Sequence, residues 1–414
     1  MVEAGLVERA STRGSLLLRV LLVIVAVGAL ARIVSFAISD QVAVDQPELA
    51  LMVDGSNWKA LMGRAERAMK EERPEEAVRD AQSALRADSL AAGALRVLGV
   101  VEEKYGSSDN TERLMRAAAD VSRREMIAQA WLLARHLQTG DFPAALSRLD
   151  LIFRTQNSAL TGKLVSLLLP ILSHDDARRE LAKLLATRPP WRSNFLTQVS
   201  QEAQDPNAVS ALYSALGESP APPLTEELRP FLDRLIRTGR VEEAYVAWMQ
   251  SLPPERLSGL GYLYNAGFEY PVTNLPFDWV FARVDSAVIE LNSKTNPPLL
   301  QVAFIGGRVS EPLVSHLLAL PPGTYQYTGR ERSDDLANER GLRWRIFCLD
   351  QPDGSLAETP PLLGDTPWRD FAVTFDVGIE CPVQKLQLEL PARVVLEQEV
   401  SGEASFASLS IGKP

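Results

Sequence analysis

The feature that most constrains this chain is a spacing of 34 residues between Trp58 and Ala159. Blocks that begin at Trp58, Ala92 and Met126 superimpose when the chain is shifted by that distance. Three aligned columns show it, two of them wholly apolar or small: Leu61, Leu95 and Gln129; Ala65, Gly99 and Leu133; Ala81, Met115 and Leu149. Gly106 and Gly140 share an offset where a helix would end, and glycine suits a left-handed turn there. The spacing predicts repeated helix pairs stacked as a solenoid.

This pattern resembles the tetratricopeptide repeat, and the best local match is the ten-residue segment His136-Leu137-Gln138-Thr139-Gly140-Asp141-Phe142-Pro143-Ala144-Ala145. The chain departs from the family at the usual tyrosine of the first helix, which is Ala68, Glu102 or His136 here, and no block has the closing proline. The resemblance implies a concave surface that holds a protein or an extended polymer. It implies no chemistry.

Composition narrows the class of protein. The chain has 414 residues, enough for two or three units, with 46% hydrophobic and 23% charged residues, which excludes a disordered or polytopic membrane protein. Its formal net charge of −10 argues against a nucleic-acid partner, because phosphate binding requires a basic face.

An apolar run near the start allows three interpretations. The favoured one is a transmembrane helix over residues 16–38, preceded by a cytoplasmic N-terminus (1–15). Arg32 weakens it, although a charge near the end of a span can reach the interface. The second is a cleaved secretory signal with Ala29-Leu30-Ala31 as the cleavage site. The third is a buried helix of a soluble domain.

Flanking charges predict the orientation. Arg9, Arg13 and Arg19 precede the apolar run, whereas Asp40 and Asp45 follow it. The positive-inside rule places the N-terminus in the cytoplasm and everything after about residue 40 across the membrane. We therefore expect a single-pass protein of the inner (cytoplasmic) membrane whose bulk is periplasmic.

The remainder is expected to be multidomain, α then β. Residues 39–57 are a linker with a short helix at Pro47–Val53, and residues 58–258 form one helical solenoid with an eroded middle, interrupted by a linker-like segment at Glu218–Pro223. From 259 to 414, period-two alternation predicts an antiparallel β-sandwich of jelly-roll type. The expected strands are Val280–Arg283, Ala287–Leu291, Leu299–Phe304, Ser315–Leu320, Gly323–Arg330, Gly341–Leu349, Arg369–Val377, Lys385–Leu390 and Glu403–Ile411.

Four motifs of this C-terminal part resemble the galactose-binding-like jelly rolls, the fold of many carbohydrate-binding modules. They are Asn265-Ala266-Gly267-Phe268-Glu269 followed by Phe277-Asp278-Trp279, then Leu320-Pro321-Pro322-Gly323-Thr324-Tyr325, Thr366-Pro367-Trp368-Arg369-Asp370-Phe371, and the closing Gly402–Ile411. The family often holds a structural calcium between the early glutamate, here Glu269, and an acidic residue after the last-strand aromatic. Because Ala407 and Ser408 stand there, we expect no calcium.

The resemblance implies sugar binding through aromatic rings that stack on pyranoses and polar groups that bind hydroxyls. The candidates are Tyr325, Tyr327, Arg330, Trp344, Arg345 and Trp368. The alternative is that these aromatics, which alternate along strands, form the core.

Catalytic motifs are sparse. The histidines, His136, His174 and His316, suggest neither a metal cluster nor a triad, and acidic pairs such as Asp334-Asp335 are typical of solvated turns. Cys348 and Cys381 are the only cysteines; an oxidising compartment would allow a disulfide between them, and two buried thiols are the alternative.

Two functions of different classes follow, with a third in which the sandwich merely caps the solenoid. The first is a membrane-anchored, non-catalytic scaffold in envelope or exopolysaccharide assembly or export, whose solenoid binds a protein and whose sandwich binds a glycan or subunit. The second is a glycan-active hydrolase or lyase that carries a carbohydrate-binding module.

Overall fold

The computed structural model describes residues 25–106, 108–155, 165–166 and 168–414. The chain divides into two compact units, Met1–Thr161 and Gly162–Pro414. The predicted cytoplasmic segment and the first residues of the predicted span lie outside the described part.

The first unit begins with an apolar helix, Val25–Val42 (α1), which is long and apolar enough to cross a membrane. Its apolar side chains, Leu30 and Ile33 among them, are exposed rather than packed on protein. Its last turns contact the folded chain, since Ser39 Oγ donates to Ala50 O at 2.9 Å and Lys59 Nζ donates to Asp40 at 2.9 Å. This confirms an N-terminal apolar helix.

The described residues of the first unit contain seven further helices: Pro47–Val53 (α2), Trp58–Lys70 (α3), Pro74–Ala87 (α4), Ala92–Tyr105 (α5), Ser108–Val121 (α6), Met126–Thr139 (α7) and Phe142–Thr155 (α8). The first helix of each repeat begins at the residue that opens each sequence block, so the 34-residue register is confirmed. Alanines from both helices of a pair fill the core, among them Ala65, Ala68, Ala77 and Ala81.

The turn between the two helices of each pair differs from one repeat to the next. Gly140 has φ +74°, the predicted left-handed conformation. Gly106 ends its helix with φ −125°, so the prediction of a left-handed glycine is wrong at that position. In the first repeat the equivalent residue is Glu72, which has φ +55° without being glycine. A side chain in this region is strained, because its Cβ crowds the backbone.

The second unit starts with helices and ends with the sandwich. A 3₁₀ turn, Leu169–Ser173, precedes five helices: Asp175–Ala186 (α9), Arg192–Glu202 (α10), Pro206–Gly217 (α11), Thr225–Arg237 (α12) and Val241–Gln250 (α13). The segment expected to act as a linker is fixed in place: the buried guanidinium of Arg192 donates to Ala221 O at 3.0 Å and pairs with Glu227 at 2.9 Å.

Ten strands form the sandwich: Val280–Phe281 (β1), Ala287–Asn292 (β2), Leu299–Phe304 (β3), Val314–Leu318 (β4), Gly323–Ala337 (β5), Arg343–Cys348 (β6), Ala357–Glu358 (β7), Gly364–Val377 (β8), Gln384–Glu389 (β9) and Ser401–Gly412 (β10). The first sheet has the order β1-β4-β9-β6-β7 and the second β2-β3-β10-β5-β8, with antiparallel pairing throughout. The predicted antiparallel sandwich is confirmed, and β7 is the strand that the sequence did not reveal.

One disulfide closes the first sheet. Cys348 at the end of β6 is bonded to Cys381, which precedes β9, with their Cα atoms 5.4 Å apart. The alternative of two buried thiols is therefore wrong.

Candidate functional site

The outward-pointing side chains of the second sheet form one exposed surface, called the outer face below. Along β5, Tyr325, Tyr327 and Glu331 point inward and are buried, whereas Arg330 and Arg332 point outward. Period two enforces this separation, because successive side chains of a strand point to opposite sides.

A row of polar and aromatic side chains crosses the outer face. The strand register places Glu290, Gln301, Ser405 and Arg332 side by side, and the guanidinium of Arg332 lies 5.5 Å from the ring of Trp368 on β8. Neighbouring strands lie about 4.8 Å apart, so the row spans about 19 Å. It presents a carboxylate, an amide, a guanidinium and an indole, whereas Ser405 is buried, with 3% of its surface exposed.

Trp368 lies close to two guanidinium groups. The Cζ atoms of Arg330 and Arg332 are each 5.5 Å from the centroid of its ring. Arg330 is held by Asp370, with Nε 3.2 Å from the carboxylate. The indole is half-buried, so part of its apolar surface faces solvent. Such a cluster can stack on an apolar surface while its guanidinium groups donate hydrogen bonds.

An ion pair on the inner side supports the Trp368 backbone. Glu331 is buried, and Arg369, the residue after Trp368, donates to its carboxylate from 2.7 Å. Burial raises the pKa of Glu331, while the Arg369 guanidinium opposes that rise. Because Glu331 and Arg369 are cross-strand partners, the pair links β5 to β8 next to the row.

The prediction of sugar binding is wrong for three aromatic residues, because they are buried in the core. Tyr327 is 0% and Trp344 1% exposed, and Trp344 packs edge-to-face against Trp279, Tyr327 and Phe406. Tyr325 is buried as well and donates from its hydroxyl to Pro321 O at 2.8 Å. A ring without exposed surface cannot stack on a sugar, so the alternative of core residues is correct.

Arg345 is excluded from this site by its position. It lies on β6 of the first sheet, where its guanidinium is 4.6 Å from the Phe347 ring and donates to Gly354 O at 2.6 Å. Of the six candidates, only Arg330 and Trp368 are brought together.

Arg332 is the main functional residue that sequence reasoning missed. It lies two positions after Arg330 and so must share its side of the strand, which was a usable signal. Gln301, Ser405 and Glu290 gave no such signal, because their alignment depends on strands that are distant in sequence.

Two carboxylates lie beside the row. Asp334 on β5 and Glu403 on β10 are directly opposite each other, on the outer face and exposed. Directly opposed residues have Cβ atoms about 5 Å apart. This spacing suits a pair of glycosidase carboxylates, but a general acid needs an apolar environment that keeps it protonated, which an exposed position does not provide.

The residues around Glu269 do not fit a calcium ion. Glu269 is exposed, and Ala407 and Ser408 supply no side-chain carboxylate. Across the described residues no cluster of three or more His, Cys, Asp or Glu side chains could hold a metal.

A second recess, here called the basic groove, lies in the first unit. It has a volume of about 750 Å³, and four of its lining residues are arginines: Arg116, Arg123, Arg148 and Arg154. Arg154 pairs with Asp150 at 2.9 Å, and Arg148 donates to the buried Gln129 side chain at 3.0 Å. Arg123 is exposed on the loop after α6. With Asp141 and Asp150 as the acidic lining residues, the groove is positive in a chain that is negative overall.

No protein-family model and no curated protein matches the chain. Among solved structures, it is similar to one described as "CBM4 structure and function" (12% identity, 37% of this chain and 99% of that chain, TM-score 0.29). It is also similar to YrrB, "a TPR protein with an unusual peptide-binding site" (14%, 50% and 91%, TM-score 0.25). A third is TmCBM61 in complex with β-1,4-galactotriose (17%, 37% and 99%, TM-score 0.24).

Proposed function

We propose that this protein is a membrane-anchored, non-catalytic scaffold whose sandwich binds an extended glycan on the outer face and whose helical repeats hold a protein partner. The observation that carries the proposal is the half-buried indole of Trp368, which lies 5.5 Å from the guanidinium groups of Arg330 and Arg332 in a row of polar side chains. Its place in the cell would be envelope or exopolysaccharide assembly or export.

A glycan fits this face for physical reasons. A pyranose ring has an apolar side that covers an exposed indole, and its hydroxyl groups both donate and accept hydrogen bonds. The amide of Gln301 can do both, and the guanidinium of Arg332 donates. A row about 19 Å long suits a linear chain better than a single sugar.

The anchor in this proposal is α1. Its exposed apolar side chains up to Ile38 suit a non-aqueous environment, whereas Ser39 and Asp40 contact the folded chain. Arg32 lies near the middle of α1 and 3.9 Å from Asp54, which supplies an opposite charge. The Cys348–Cys381 disulfide is consistent with a periplasmic location for the bulk of the chain.

The partner in this proposal is a protein with an acidic segment that binds the basic groove. Arg116 pairs with Glu112 at 2.6 Å and Arg154 with Asp150 at 2.9 Å, so Arg123 and Arg148 supply the positive charge that would attract a carboxylate-rich segment. Charge reversal of Arg123 should lower the yield of crosslinked complex with such a partner. Charge reversal of Arg79, which lies outside the groove, is the control and should leave that yield unchanged.

The alternative, a glycan-active enzyme, draws support from the opposed carboxylates of Asp334 and Glu403. Asp334→Asn and Glu403→Gln distinguish the two functions. The scaffold proposal predicts that the wild-type chain and both variants show no hydrolysis of a polysaccharide. Hydrolysis of an envelope polysaccharide that disappears in both variants would establish the enzyme instead.

The glycan proposal is tested by affinity electrophoresis of the full chain through gels that contain neutral or uronic-acid polysaccharides. Trp368→Ala and Arg332→Ala should each remove retardation. Tyr105→Ala is the matched control, because Tyr105 is an exposed aromatic with Lys104 over its ring at 5.3 Å but lies in the repeats. Retardation that survives Trp368→Ala, or no retardation by any polysaccharide, would refute glycan binding at this face.

A further inference from the structure

A cavity of about 840 Å³ lies inside the second unit, between α13 and one end of the first sheet. Aromatic rings form much of its lining: Tyr245, Tyr262, Tyr264 and Phe277. Its rim is also apolar, since Ile379 is 86% exposed and Val246 is exposed too. This cavity is separate from the outer face, which belongs to the other sheet.

Two buried polar groups that line the cavity have no hydrogen-bond partner. His316 is 3% and Tyr264 is 3% exposed, yet His316 Nε2 and the Tyr264 hydroxyl make no hydrogen bond to any described residue. Buried polar atoms are almost always satisfied, because a buried donor or acceptor left without a partner loses its hydrogen bonds to water. Two such atoms on the wall of one cavity therefore point to a ligand that supplies the bonds.

The contact made by His316 Nδ1 determines whether a ligand must donate to Nε2 or accept from it. His316 Nδ1 lies 2.7 Å from Leu317 O, a carbonyl that can only accept, so Nδ1 carries the proton. In the neutral ring Nε2 is then an acceptor. Burial lowers the pKa of His316, although Asp278 and the Leu317 and Tyr264 backbone oppose that effect, and the neutral ring prevails.

Tyr264 complements this acceptor. Its hydroxyl can both donate and accept, so a ligand O–H that donates to His316 Nε2 can accept from Tyr264. Burial raises the pKa of Tyr264, and the nearby Arg256 guanidinium, which can only donate, opposes the rise and leaves the tyrosine O–H free to donate to a ligand.

We propose that this cavity binds a small molecule built on an apolar planar ring that carries one hydroxyl group. The ring packs among Tyr245, Tyr262 and Phe277, and the hydroxyl donates to His316 Nε2 and accepts from Tyr264. The volume leaves room for a substituent that extends toward the apolar rim at Ile379.

The test compares two probes that differ in a single donor, p-cresol and 4-methylanisole. Equilibrium dialysis of the full chain in lipid nanodiscs, corrected with empty nanodiscs, gives the affinity of each. We expect p-cresol to bind at least about tenfold more tightly, because the ether cannot donate to Nε2. His316→Phe and Tyr264→Phe should each reduce that preference to about twofold or less.

Tyr327→Phe is the matched control, because the Tyr327 hydroxyl is equally buried and unpaired but does not line the cavity. It should leave the preference unchanged. Near-ultraviolet circular dichroism identifies a variant that fails to fold, and the wild-type comparison of the two probes stands regardless. Absence of saturable binding, equal binding of both probes, or a preference that persists in folded His316→Phe would overturn the proposal.

Discussion

The helical repeats and the β-sandwich are stabilised by opposite kinds of core residue. Buried alanines dominate the core of α3 and α4, among them Ala65, Ala77 and Ala81, which let helices approach closely. The centre of the sandwich is a set of contacting rings that includes Trp279 and Trp344. The repeats should therefore be most sensitive to larger side chains at the buried alanines. The sandwich should be most sensitive to smaller side chains at its buried rings.

The largest effect is expected when a ring is removed from the sandwich. Trp344→Ala leaves a cavity among Trp279, Tyr327 and Phe406 and should destabilise the second unit by about 3–5 kcal/mol in urea unfolding. Trp368→Ala, on the outer face, should change stability by about 0.5 kcal/mol or less. Similar losses for both tryptophans would contradict the assignment of one to the core and the other to the surface.

The disulfide should matter almost as much. A bond that closes a loop of 33 residues stabilises a fold by about 3–4 kcal/mol in the chain-entropy model. The Cys348→Ala, Cys381→Ala double variant should lose that amount, and hydrogen exchange should accelerate in β6 and β9 but not in α3–α8. A reductant that leaves exchange of the wild-type sandwich unchanged would show that the bond contributes little.

Enlarging an alanine should have a smaller effect, and only in the repeats. Ala81→Leu forces extra methylenes between α3 and α4, so we expect about 1–3 kcal/mol of destabilisation by thermal unfolding. Ala130→Leu is the control, because Ala130 is exposed on α7 and should remain within about 0.5 kcal/mol of wild type. If Ala81→Leu were neutral, close helix approach would not be what the alanines provide.

The smallest effect concerns the left-handed turns. Glu72→Gly relieves a strained side chain and should stabilise the first repeat by about 0.5 kcal/mol, since the exposed contact of Glu72 with Lys104 is weak. Gly140→Ala should cost about 1 kcal/mol for the reverse reason. Both are measured by chemical denaturation, and effects of the opposite sign would show that these turns are not strained.

Much of the fold was predictable because its signals are local. The first residues of α3, α5 and α7 follow from the 34-residue repeat. The alternation of apolar and polar residues predicted most strands of the sandwich. Gly106 shows the limit of such reasoning: its place at a helix end was visible, but its backbone conformation was not, because the neighbouring loop decides it.

The candidate site was less predictable because it is assembled across strands. Alternation alone separates Tyr325 and Tyr327 from Arg330, so those three could not share a surface. Which side faces the core depends on how β5 packs against the first sheet. The alignment of Gln301, Arg332 and Trp368 depends on a register set by strands tens of residues apart.

The central claim, that a glycan binds at Trp368, is tested most directly by fluorine NMR of the full chain labelled with 5-fluorotryptophan. The chain has seven tryptophans, whose signals are assigned by single Trp→Phe variants. Titration with linear oligosaccharides of neutral hexoses and of hexuronic acids should shift the Trp368 signal and leave the buried Trp344 signal in place. An unchanged Trp368 signal at saturating oligosaccharide would contradict the account.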